Sequence, residues 1–192
     1  MRSRACALLG SLVTVAVLSG SALVAAPASV SAQGAGSPQA HHGFWLSGGL
    51  GGGWTSHGDG GGGAYIRLGG TLSRKVVIGG EAIGWGRDTN GGSVSRGNAV
   101  FDVLYYPSTT SGGFVKAGVG FANFTREVTD PFGGKLSSDR QGAGAVLGAG
   151  WDIHLGRGNL YLTPNVDVLL QGYDNLHRVD AVYLFTLGIG FH

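Results

Sequence analysis

The chain is nearly without cysteine. The single one, Cys6, lies at the very start of the first apolar run. It is not at a position where a lipoprotein would be cleaved and acylated. Beyond residue 32 there is no cysteine at all, which excludes a disulfide framework in an exported protein. Charge is scarce too. Charged residues make up 12% of the chain, about half the usual ~25%. Past the N-terminal region no run of about 18 apolar residues occurs, which excludes a helical membrane span there.

The N-terminus has the layout of a secretory signal peptide. Arg2 and Arg4 form a basic n-region, Ala5 to about Leu18 is apolar, and Val30-Ser31-Ala32 fits a small-residue cleavage site. Cleavage before Gln33 would divide the chain into a signal peptide (1–32), a short periplasmic linker (33–42) and a single domain (43–192). His41 and His42 fall in the linker, with no third ligand near for a metal. Loss of Arg2 and Arg4 reduces the 13 basic residues to 11, against 11 acidic ones. A formally neutral chain has no basic footprint for nucleic acid.

What the sequence has in excess is glycine, 39 residues, and a period of two. Successive strand side chains point to opposite faces. In the last stretch Val179, Ala181, Tyr183, Phe185, Leu187, Ile189 and Phe191 share one face. Asp180, Thr186, Gly188 and Gly190 lie on the other. The first stretch sets Phe44, Leu46, Leu50 and Trp54 against Trp45, Ser47, Gly49, Gly51 and Gly53. Eight such segments occur between Gly43 and His192. Three connections are short: Ser73-Arg74, Pro107 to Gly112, and Gly156 to Gly158. The alternate ones, Thr55 to Gly62, Arg87 to Arg96, Arg126 to Arg140 and Tyr173 to His177, read as longer polar loops. An even number of antiparallel strands with this asymmetry predicts an all-β, eight-stranded up-and-down transmembrane β-barrel.

The sidedness follows from composition. In a soluble barrel the face opposite the apolar one would meet water and carry many charges. Here that face is mostly glycine. The apolar face is therefore expected to meet lipid, around a narrow lumen filled by small residues and a few paired charges. Phe44, Tyr105, Trp151 and Phe191 fall near the short turns; Trp54, Phe121 and Tyr183 fall nearer the loops. Those are the places for two interfacial aromatic girdles.

The inward face carries the candidate site. Arg67 and Glu81 lie equally far from a turn centred near Arg74. Asp102 and Lys116 lie equally far from one centred near Thr109. Each pair is expected to meet across its hairpin, with Asp152, Asp167, Arg178 and Asp180 extending the network. Charges at membrane depth pair or line water. Pro164 is expected to bulge or open the ladder between Thr163 and Asn165, because it lacks an N–H.

With these features the chain from Gly43 to His192 resembles the small eight-stranded outer-membrane barrels of the OmpA/OmpX type. The closing strand Tyr183-Leu-Phe-Thr-Leu-Gly-Ile-Gly-Phe191 carries much of the resemblance, although His192 follows the terminal Phe191. The resemblance implies recognition of that strand by the barrel-assembly machinery. It implies both termini on the periplasmic side, long loops outside, and a monomer set among outer-membrane lipid and lipopolysaccharide. Interior salt bridges that obstruct passage are implied as well. No peptidoglycan-binding domain is expected after the barrel.

Catalysis is not expected. None of the histidines has Ser two positions on, as lipopolysaccharide deacylases require. Ser56, His57 and Asp59 sit in a glycine-rich loop where nothing would hold a triad rigid. Gly60 to Gly63 lacks the strand–helix context of a phosphate loop. His154 is expected to face inward beside Asp152, as a hydrogen-bonding partner and not a metal ligand. Neither cofactor nor metal is expected. A structural or surface-interaction role ranks first, with a narrow pore or conduit for small or hydrophobic solutes second.

Overall fold

The computed structural model describes residues 43–89, 91–129, 134–156, 159–173 and 179–191. The signal peptide and linker fall on residues 1–42, outside the described residues, as do Arg178 and His177. Nine antiparallel segments close on themselves. They are β1 (Phe44–Thr55), β2 (Gly60–Ser73), β3 (Val76–Thr89), β4 (Gly92–Tyr105), β5 (Gly113–Thr129), β6 (Lys135–Trp151), β7 (Ile153–His154), β8 (Leu160–Gly172) and β9 (Val179–Phe191). Each pairs with its neighbours in sequence, except that β6 and β7 do not pair with each other. β1 also pairs with β9, and β8 pairs with both β6 and β7. β7 continues β6 past Asp152, so the barrel has eight staves and no free edge.

The alternation sorts the faces as a lipid-embedded barrel requires. Leu50, Ile66, Phe101, Val119, Phe121, Phe185, Leu187 and Ile189 are exposed on the outside. A soluble monomer rarely shows an apolar patch beyond a few hundred Å²; here the apolar surface encircles the barrel. All seven aromatics assigned to girdles face outward. Trp54 and Tyr183 are opposite each other in the β1–β9 ladder and stack at 5.9 Å between ring centroids.

The interior corrects one expectation. It is not filled by small residues. Glycines line the wall so that large side chains of neighbouring strands can lie over them and fill the lumen. A methyl group at Gly49 would sit 2.6 Å from the Tyr65 ring, and one at Gly61 would sit 2.6 Å from the Trp85 indole. Two apolar clusters result. Trp45, Val77, Leu104, Tyr106 and Phe114 fill the end nearer the chain termini. Tyr65, Ile83, Trp85, Val100, Val146, Leu169, Val182 and Leu184 fill the part toward the far end.

The far-end connections are a second correction. β1 and β2 are joined by only Ser56–Asp59, with Gly58 at φ +87°. Gly60–Gly63 is strand, paired with Gly51–Trp54. The supposed loops 87–96 and 126–140 are mostly ladder, because β3 to β6 run on past the apolar belt. Above the belt both faces meet water, so polarity stops alternating while the backbone pairing continues.

Pro164 behaves as expected on one side only. Its pairing with Leu187 of β9 is regular. On the other side the ladder stops at Gly150↔Asn165 and resumes at Ile153↔Leu162. The register is the same before and after the gap, so the ladder opens without a bulge. On the β5 side the pairing is kept, and Asp152 N–H donates to Gly112 O at 2.9 Å in the register of the β5–β6 ladder.

Candidate functional site

Five ionisable side chains meet between the two apolar clusters. Arg67 and Glu81 are direct cross-strand partners, and Arg67 Nη2 donates to Glu81 Oε1 at 2.8 Å. Lys116 Nζ reaches both oxygens of Glu81, at 2.6 and 2.8 Å, and stands 2.9 Å from Asp167 Oδ1. Arg67 Nε approaches Asp102 Oδ2 at 3.5 Å. The side chains in these ion pairs are 0–1% exposed. Glu81 is the hub, since it alone accepts from both cations. Asp102 is the most loosely held, with no hydrogen bond to either oxygen.

The network is seated by its neighbours. The Arg67 guanidinium lies 4.7 Å from the Tyr65 ring centroid and 5.8 Å from that of Trp45. Such cation–π contacts suit a desolvated guanidinium. Gly148 leaves the space that the Lys116 stem occupies; a methyl group there would lie 2.8 Å from Lys116 Cε.

The expected Asp102–Lys116 pair does not form. Asp102 lies opposite Gly118, and Lys116 opposite Leu104. The hairpin is centred one residue later than its sequence implied, which shifts the pairing by two. An even shift keeps both side chains inward but hands Lys116 to Glu81 and Asp167.

The remaining members are placed apart. Asp152 is held by Tyr106 Oη–H at 2.7 Å and Thr163 Oγ1–H at 2.8 Å, below the network. Asp180 pairs with Arg96 at 2.9 Å near the far mouth. Arg96 itself was hidden in a presumed loop; the signal was the alternation of Val94, Arg96, Asn98 and Val100 running on upstream of β4. Arg178 lies outside the described residues. His154 shares the inward face of Asp152 and lies opposite the buried Tyr161, its ring tilted 4.9 Å from that of Tyr161, but it sits at the terminal rim, where it is exposed.

Chemically, the arrangement pairs its charges with one another and leaves little open space. Beside Arg67, Ser47, Asp152 and Thr163 is a cavity of about 10 Å³, enough for about one water. At the far end Ser56 Oγ is 3.4 Å from His57 Nδ1, but Asp59 is drawn to Arg87 at 2.8 Å and away from any relay. Among the described residues no group of three His, Cys, Asp or Glu is placed to hold a metal.

No family model matches the sequence, and no curated protein matches it. Solved structures do. Neisserial surface protein A aligns at TM-score 0.56 and 12% identity, over 77% of this chain and 96% of that one. Ail, the attachment invasion locus protein of Yersinia pestis, aligns at 0.56 and 12%, over 78% and 98%. The N-terminal β-barrel domain of Pseudomonas aeruginosa OprF aligns at 0.51 and 16%, over 78% and 97%. These are small eight-stranded outer-membrane barrels, and at such identities the likeness extends to the fold.

Proposed function

We propose that this chain is an integral outer-membrane barrel with a structural or surface-interaction role, its lumen closed by side chains. Both termini lie on the periplasmic side and the far mouth opens outward. The observation that carries the reading is the buried network of Arg67, Glu81, Asp102, Lys116 and Asp167 between two apolar clusters. Eight staves enclose room only for side chains, and here the side chains occupy it. The surrounding lipid and lipopolysaccharide are its immediate partners, and the β9 strand is what the assembly machinery would read.

The test is single-channel recording in planar bilayers with the folded mature protein. A sealed lumen gives no discrete steps. Reproducible conductance in the wild type, lost or enlarged in Arg67→Ala and Lys116→Ala, would establish the narrow-pore reading in its place.

A further inference from the structure

We propose that the far mouth of the barrel binds a polyanionic glycan carrying sulfate or phosphate esters, gripped by Arg126 and Arg140 beside Arg96. This deepens the surface-interaction reading and rests on its orientation of the barrel.

The register places the arginines. Arg96 of β4 is opposite Phe124 of β5, and Phe124 is opposite Arg140 of β6. Arg126 stands two residues farther along the same face of β5. Phe124 marks that face as the one turned to the mouth, because its ring touches both Arg96 and Tyr173. Tyr173 is also within electrostatic reach of Arg140. The opposite face of the same strands carries Asp88, Glu127 and Asp139. The overhanging sheet is thus basic toward the mouth and acidic away from it.

Among the described residues, the nearby acids on the mouth side are already engaged. Asp180 holds Arg96 at 2.9 Å, and Asp59 holds Arg87 at 2.8 Å. Arg126 and Arg140 are exposed and form no ion pair among the described residues. They stand diagonally on adjacent strands, about 7–8 Å apart by sheet geometry. A guanidinium presents a planar fork that matches a sulfate or phosphate group. One exposed contact of this kind is weak and screened by salt. A ligand must therefore offer several anions to gain from the site, as an ester-decorated glycan does. A single-stranded nucleic acid would need free aromatic faces for its bases. Phe124 is half-buried, with Arg96 over its ring at 4.8 Å and Tyr173 against it, so it offers no open platform.

The folded mature protein in detergent would be titrated with a heparin-derived octasaccharide and with a phosphomannan oligosaccharide. Neutral dextran and an oligothymidylate serve as controls. Binding of at least one anionic glycan is expected, and the two arms separate sulfate from phosphate. Arg126→Ala/Arg140→Ala should weaken it roughly tenfold or more and flatten its salt dependence. Glu127→Gln/Asp139→Asn, on the other face, should not weaken it. The proposal is overturned if neither glycan binds, if the arginine variant binds like wild type, or if the acidic-face variant loses as much. Equal binding of dextran or oligothymidylate overturns it too. Bilayer recordings on the same preparation report on the sealed lumen separately, so either reading can fail alone.

Discussion

Glu81 and Asp102 are both buried carboxylates in one network, yet their geometry predicts different consequences when each is neutralised. Glu81 accepts from Arg67 and twice from Lys116. Glu81→Gln would leave two cations short of a counter-charge, and breaking a buried pair in this way costs about 3–5 kcal/mol. Asp102 has only the 3.5 Å approach of Arg67, so Asp102→Asn should cost about 1 kcal/mol or less, no more than a typical single substitution. Urea unfolding of both variants in lipid vesicles checks the order. Equal losses would mean that Asp102 is bound more tightly than its distance indicates. At this scale much was legible in the sequence. Arg67 and Glu81 meet where the spacing put them, although the turn is Arg74-Lys75 and a register shift between Thr71 and Ser73 restores the pairing. The Pro107–Gly112 turn is longer, so its centre was misplaced by one residue. Lys116 kept its inward orientation and changed its partners.

Strands were legible wherever one face met lipid and the other met the lumen, because only there does polarity alternate. Their continuation above the belt was not, since Ser93, Thr125 and Ser137 look like loop whether or not they are paired. The gap at Asp152 shows the reverse case, in which one residue did announce a feature of the element. Pro164 has no N–H to give, and the missing rungs fall opposite it. Asp152 is also pulled aside by Tyr106 and Thr163, so two causes compete. Pro164→Val separates them. If proline holds the ladder open, the variant should regain a rung, gain about 0.5–1.5 kcal/mol, and slow amide exchange around residue 164. Unchanged exchange and stability would assign the gap to the side-chain bonds of Asp152.

For the whole molecule, the proposed closed lumen raises the question of whether charge or volume would seal it. The apolar clusters above and below the network argue for volume, because Trp45, Tyr65, Trp85, Tyr106 and Phe114 block the path whatever the charges do. The sequence showed the charges but not this filling. An inward Trp looks out of place among glycines until those glycines are seen to clear its path. A buried ion-pair network also stabilises less than its distances imply. Desolvating each ion costs several kcal/mol, and volume-matched apolar replacement of a complete network is often neutral or stabilising by about 1–4 kcal/mol. The corresponding variant is Arg67→Met, Glu81→Met, Lys116→Met, Asp102→Leu and Asp167→Leu together. It removes every charge of the network, and no carboxylate or ammonium is left unpaired there. It should fold, unfold at the same or a higher urea concentration than wild type, and stay silent in planar bilayers. Arg67→Ala/Lys116→Ala removes the two long side chains without replacing their volume, so it should be less stable than wild type. If the apolar variant conducts or fails to close into a barrel, the charges themselves seal or specify the lumen, and the volume argument is wrong.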